Sequence, residues 1–124
     1  MENKNKRKNA RIRANLAVLF KVKNTLLAGG SRIKDVSETG MCIPSKHNFP
    51  VDSLLELEIR SDDLQEPIKA SAAVVRVTRR NDSEFPYELG IIFLDIPFDK
   101  WKMLQDYIRR SIAQGKNKDI NLLE

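Results

Sequence analysis

Leu55-Glu56-Leu57-Glu58-Ile59-Arg60 alternates apolar and charged residues over six consecutive positions. A period of two puts the apolar side chains on one face of a pleated strand and the charges on the other, so the segment reads as a half-buried β-strand. The same period recurs on both sides. Upstream, Leu16, Val18, Phe20 and Val22 alternate with Ala17, Leu19, Lys21 and Lys23. Downstream, across Ser61 to Pro67, Ala70, Ala72, Val74, Arg76 and Thr78 are predicted to face opposite Ser71, Ala73, Val75 and Val77. Arg32 to Val36, Met41 to Ile43 and Tyr87 to Leu94 read as three more strands, with breaks at Asn24, Gly29-Gly30, Ser37 to Gly40, Pro44 and Asn81-Asp82-Ser83. Six short strands at this spacing predict an all-β, six-stranded antiparallel barrel, closed or nearly so, because closure removes exposed sheet edges.

Beyond Pro97 the period becomes helical. Trp101, Leu104, Ile108 and Ile112 fall on one face, with Asp99 as the expected N-cap and Gly115 as the expected stop. This C-terminal helix is predicted to pack its apolar stripe over an end or side of the barrel. The chain thus divides into an N-terminal basic arm (1–13), a barrel with its helix (14–115) and a tail (116–124) that is polar until Ile120, Leu122 and Leu123.

At 124 residues the chain suits one core, burying roughly two thirds of the surface of its unfolded form. With 41% hydrophobic and 31% charged residues it has an ordinary soluble composition, and no apolar run approaches the roughly 18 residues of a membrane span. No secretory signal pattern opens the sequence, so a cytoplasmic location is expected and membrane insertion is not. Cys42 is the single cysteine, which rules out an internal disulfide framework and a cysteine metal cluster; it is expected as a small buried side chain on a strand.

The net charge of +5 is concentrated at one end. Lys4, Lys6, Arg7, Lys8, Arg11 and Arg13 face only Glu2 within residues 1–13, and the remaining chain holds 16 basic and 16 acidic residues. A polymeric nucleic acid would more often meet basic residues spread over a folded face. A charged arm points instead to a small anion or to an acidic patch on a partner, and is expected to be loosely held until it is bound.

Two motifs supply specific chemistry. Arg7 and Arg11 are separated by three residues, and a guanidinium forks onto phosphate oxygens or onto the O6 and N7 acceptors of guanine. Asp35-Val36-Ser37-Glu38-Thr39-Gly40 adds a carboxylate and a hydroxyl that accept from guanine N–H groups, and a glycine that permits a positive φ or a close backbone approach to a phosphate. Together they meet the needs of a small guanine-containing dianion. Taken singly, the arginines would be a solvated tail and the second run an ordinary turn. Arg32, Arg76, Arg79 and Arg80 read as solvated strand-edge charges, with Arg76, like Lys6 and Lys8, a secondary candidate for a phosphate contact. His47 stands alone in a loop, no nucleophile elbow or metal-binding spacing occurs, and neither catalysis nor a cofactor is expected.

These residues resemble the PilZ domain family of bacterial receptors for cyclic di-GMP. Four pieces agree in order over about Arg7 to Ile112: the R-x-x-x-R of Arg7 and Arg11, the D-x-S-x-x-G of Asp35, Ser37 and Gly40, the strand Ala73-Val74-Val75-Arg76-Val77, and Leu89-Gly90-Ile91-Ile92-Phe93-Leu94-Asp95. The resemblance implies a six-stranded barrel with a C-terminal helix. It also implies a ligand held between arm and barrel, with Arg7 and Arg11 on guanine and phosphate and Asp35, Ser37 and Gly40 on a guanine and its neighbouring phosphate. Asp52-Ser53 stands where many relatives have glycine, and Lys6 occupies the position that helps relatives choose between one ligand and a stacked pair. The expected partners are cyclic di-GMP and an unidentified downstream protein. A ligand-free adaptor and a small-barrel binder of single-stranded nucleic acid are the alternatives.

Overall fold

Leu55, Leu57 and Ile59 are buried side by side in a strand of seven residues, β6 (Leu54–Arg60), while Leu54, Glu56, Glu58 and Arg60 face outward. The computed structural model describes residues 12–13, 16–25 and 27–113, and within them eight strands precede one helix. Two strands are only two residues long, β1 (Ile12–Arg13) and β4 (Asp35–Val36). The longer ones besides β6 are β2 (Ala17–Val22), β3 (Ala28–Arg32), β5 (Gly40–Ser45), β7 (Ile68–Arg79) and β8 (Tyr87–Asp95), followed by α1 (Phe98–Ala113). Five of the six long strands, β2, β5, β6, β7 and β8, are predicted ones, β3 lies mostly ahead of the predicted second strand, and the two short strands raise the strand count.

Every pairing is antiparallel, in the order β1-β4-β5-β8-β7-β6-β2-β3. The sheet curls until β3 comes alongside β5, where the Ser31 hydroxyl donates to the Pro44 carbonyl at 2.8 Å. The barrel is therefore nearly closed, with a side-chain bond across the seam. Its interior is filled by Leu16, Val18, Ile43, Phe49, Ile59, Ile68, Val74 and Leu89, all below 2% exposed. Each such side chain contributes about 1.5–3 kcal/mol of transfer free energy. Phe20 meets Phe49 edge to face at 5.6 Å between centroids, the arrangement that the ring quadrupole favours.

Three local expectations change. The predicted second strand, Arg32 to Val36, is divided: β3 starts earlier and ends at Arg32, and β4 starts at Asp35 after a step in which Ile33 N–H donates to Leu16 C=O and Lys34 N–H to Cys42 C=O, both at 2.9 Å. Gly29-Gly30 is thus inside a strand, not a break. Gly29 pairs with Phe20, and a Cβ there would lie 2.9 Å from the Phe20 ring, so the glycine makes room for an aromatic. The reversal itself occurs at Asn24, whose φ of 64° suits an asparagine.

Within β7 the predicted alternation fails after Val74. Val74 pairs with Ile91 and Arg76 with Gly90, leaving Val75 as an extra residue in a β-bulge. A bulge reverses the side-chain phase beyond it. Ala72 and Val74 therefore point inward, but so does Val77, while Arg76 and Thr78 face outward.

Helix α1 begins at Phe98, so Asp99 lies in its first turn and not at the cap, where its charge still favours the positive helix end. The buried face is Leu104, Tyr107, Ile108 and Ser111; Trp101 is half-buried and Ile112 is 37% exposed. Gly115 lies outside the described residues. No helix among the described residues is long and apolar enough to cross a membrane.

Candidate ligand site on the outer face of the barrel

Register alone lines up the centre of the site. Asp35 pairs with Cys42, Cys42 with Gly90 and Gly90 with Arg76, so these four residues form one row across β4, β5, β8 and β7. Gly40 pairs with Ile92 two positions along, in the next row on the same face. Residues in one row of an antiparallel sheet share a face. Here it is the outer face, since the neighbouring Met41, Ile43, Leu89, Ile91 and Val74 point into the core.

The motif Asp35 to Gly40 is brought together as β4 and the tight turn into β5. Ser37 N–H donates to Gly40 C=O at 2.8 Å, which closes the turn, and the Ser37 hydroxyl accepts from Thr39 N–H at 3.2 Å and lies 3.2 Å from the Thr39 hydroxyl. This is the local side-chain-to-backbone bonding for which serine is favoured in turns. Asp35 and Ser37 are only 6% and 7% exposed, so a ligand would meet groups already held in place. Two further bonds pin the turn: Phe93 N–H to Thr39 C=O at 2.9 Å and Trp101 Nε1–H to Glu38 C=O at 3.1 Å.

Gly40 has a different reason to be glycine from the one expected. Its φ is not in the left-handed region, and a Cβ would sit 2.0 Å from the Ile91 carbonyl oxygen. The close approach is to the neighbouring strand. Gly90 is likewise spatial: its missing side chain leaves a bed for the Arg76 guanidinium, whose Cζ would be 3.1 Å from an added Cβ. The bulge at Val75 turns Arg76 toward this bed, so the secondary candidate Arg76 joins the row of Asp35.

Arg7 and Arg11, with Lys6 and Lys8, lie outside the described residues. What the structure does place is the strand that continues from them. β1 pairs with β4 through Ile12 with Val36 and Arg13 with Asp35, and Ile12 is fully buried.

Beside the row sits a charged group that sequence reasoning missed. Cys42 Sγ donates to Glu88 Oε2 at 2.9 Å, Lys34 Nζ lies 3.2 Å from Glu88 Oε1, and Arg80 Nε approaches the same oxygen at 3.8 Å. Burial first, then the bond to the Glu88 carboxylate, pushes the Cys42 thiol up to about 12. Burial pushes Glu88 upward too, but the Cys42 thiol, Lys34 and Arg80 outweigh it and hold the carboxyl below its ordinary range. At neutral pH this gives an inert thiol and a charged carboxylate. The available signal was the strand phase, which puts Glu88 on the same face as Gly90.

The other candidates are spread elsewhere. Arg79 stacks on Tyr87 with 5.4 Å from Cζ to the ring centroid, and His47 is exposed with its ring edge-on to Phe49. A groove of about 700 Å³ bordered by Leu19, Phe20, Glu56, Glu58, Lys69 and Asp95 contains none of Asp35, Ser37, Gly40 or Arg76. Its wall carries three acids, Glu56, Glu58 and Asp95, against two lysines, Lys21 and Lys69, so we place no dianion there.

Comparison with known proteins agrees with the fold. No curated protein sequence gives a significant match. Among solved structures, the Bacillus subtilis inhibitor of motility MotI (DgrA) is 22% identical with a TM-score of 0.69, over 87% of this chain and 52% of that one. The MrkH–c-di-GMP complex of K. pneumonia is 20% identical with a TM-score of 0.74, over 90% of this chain and 54% of that one. The chain thus spans about half the length of these two. The PilZ domain of Escherichia coli YcgR with c-di-GMP is 16% identical with a TM-score of 0.66, over 90% of this chain and 98% of that domain. The PilZ domain pattern itself matches residues 5–110, from the basic arm through β1, the Ser37–Gly40 turn and most of α1, and the chain belongs to the PilZ domain family.

Proposed function

We propose that this protein is a non-catalytic receptor for cyclic di-GMP. The reading rests above all on the pairing of β1 with β4, because Arg13 opposite Asp35 ties the covalent chain bearing Arg7 and Arg11 to the edge where Asp35 and Ser37 are held. It is supported by membership of the PilZ family and by two solved structures of similar fold that contain c-di-GMP. In this reading Arg7 and Arg11 take phosphate and guanine acceptors, Asp35 and Ser37 meet a guanine N–H edge, and Arg76, lying over Gly90, offers a further cation to a base plane or a phosphate.

Ordering about five arm residues costs roughly 5–10 kcal/mol of backbone entropy, so several charge-assisted contacts are needed before net binding appears. A micromolar dissociation constant, about −8 kcal/mol, is the expected outcome. The same cost converts binding into a signal, because an arm laid down over β4 and β5 presents a new surface to a downstream protein. An oligonucleotide platform fits less well: of the Phe, Tyr and Trp side chains described, Phe98 alone is exposed, and it lies on α1.

Calorimetric titration with cyclic di-GMP, with GTP and cyclic di-AMP as controls, tests the reading. Arg7→Ala and Arg11→Ala are each expected to weaken binding by more than about 1 kcal/mol, roughly fivefold. Wild-type affinity in both variants would reject the assignment.

A further inference from the structure

The Ser37–Gly40 turn is gripped from outside the sheet by one side chain. Trp101 lies in the first turn of α1 and donates its indole N–H to Glu38 C=O at 3.1 Å, across 63 residues of chain. It is the only tryptophan in the protein. Its own backbone N–H bonds Pro97 C=O at 2.8 Å, which starts the helix, and its ring faces that of Phe98 at 6.0 Å.

The bonding partner matters more than the bond. The carbonyl of Glu38 and the N–H of Thr39 belong to one peptide unit, which is planar and rigid. That N–H donates to Ser37 Oγ at 3.2 Å. A continuous line therefore runs from the Trp101 indole through the Glu38–Thr39 peptide to the Ser37 hydroxyl. Each bond in such a chain polarises the next, and fixing one end fixes the plane of the other. Thr39 C=O is held independently by Phe93, so the Glu38–Thr39 plane is the part of the turn that depends on Trp101.

We propose that Trp101 is a positioning residue for the ligand site, orienting the Glu38–Thr39 peptide so that its N–H sets the Ser37 hydroxyl, and thereby coupling the start of α1 to occupancy of the turn. The coupling to ligand rests on the receptor reading above; the positioning of the peptide does not. Because linkage is reciprocal, a ligand that fixes Ser37 also firms the first turn of α1, where Phe98 is 70% exposed.

Trp101→Phe keeps a ring and removes the donor. It is expected to speed hydrogen exchange at the Thr39 amide several-fold without ligand, and to weaken cyclic di-GMP about three- to tenfold, the range for one lost neutral hydrogen bond. Ser37→Ala and the double variant complete a cycle: if the tryptophan acts through Ser37, the double variant binds no more weakly than Ser37→Ala alone. A merely structural tryptophan would give additive losses. In the wild type the single indole N–H resonance is expected to shift on adding cyclic di-GMP. Unchanged Thr39 exchange in Trp101→Phe overturns the proposal, as do additive losses in the cycle. No binding heat from the wild type would instead sink the receptor reading, and Thr39 exchange would still decide what Trp101 does.

Discussion

Gly40→Ala should damage the fold before it damages any ligand contact. The new Cβ would lie 2.0 Å from Ile91 O and 3.1 Å from both Ile91 C and Ile92 Cα, all backbone atoms with no side chain to swing aside. Restoring an ordinary contact requires β5 and β8 to separate by about 1 Å at this pair, and a ladder bond stretched that far from about 2.9 Å leaves the hydrogen-bonding range. Overpacking costs about 1–3 kcal/mol, and one or two weakened bonds add about 1 kcal/mol each, giving about 2–5 kcal/mol. For a domain of this size that corresponds to a fall in melting temperature of about 8–20 °C. Gly90→Ala is the control. Its Cβ meets the end of the Arg76 side chain at 3.1 Å, which can move into solvent, so the melting temperature should fall by less than about 2 °C. Circular dichroism melts of both variants test the reasoning, and a Gly40→Ala melt within about 2 °C of wild type would refute it. The consequence reaches the binding assay, since lost affinity in Gly40→Ala would not identify Gly40 as a ligand contact, whereas lost affinity in a stable Gly90→Ala would implicate Arg76.

Two more outcomes follow from strain and ionisation. The folded state raises the Cys42 thiol from 9.0 to about 12, so its contribution to stability is whole below about pH 9 and is lost as pH rises toward 12. In urea melts, the stability gap between wild type and Cys42→Ala should narrow steadily above about pH 9, and a gap that stays constant to about pH 10.5 contradicts this. Asp52 holds a φ of 76°, a region that favours glycine. Asp52→Gly should leave the melting temperature near wild type, while Asp52→Ala should lower it by about 4 °C, near 1 kcal/mol; equal melts for the two would mean that the turn relaxes.

The fold was legible wherever one strand face is buried and the other is wet. Leu55 to Arg60 shows this most simply, and β2 repeats it with Val18 and Phe20 inward and Leu19 and Lys21 outward. It was illegible where tertiary contact overrides local chemistry. Gly29-Gly30 has the composition of a break, yet it is strand because Phe20 occupies the space that side chains would need. The bulge at Val75 carries no local signature either, since Ala73-Val74-Val75-Arg76-Val77 is strand-forming in either phase. Only the fixed inward positions of Ile91 and Leu89 on β8 decide that both Val74 and Val77 turn toward the core.

The site divides along the same physical line. The turn that carries Asp35, Ser37 and Gly40 was legible because a turn needs particular residue types at fixed spacing. The residues that surround them were not. Gly90, Arg76 and Cys42 reach Asp35 through strand register, and register depends on pairings between segments that are far apart in sequence. Arg76 shows how much rests on this: if Val75 took a regular pairing instead of bulging, strict alternation would send the Arg76 guanidinium into the core alongside Val74, where an unpaired charge is prohibitive. The bulge that strand periodicity could not reveal is therefore what makes Arg76 available to a ligand at all. A substitution that drew Val75 into regular pairing would turn Arg76 off the candidate face, whereas deleting Val75 would keep Arg76 opposite Gly90 and pointing outward.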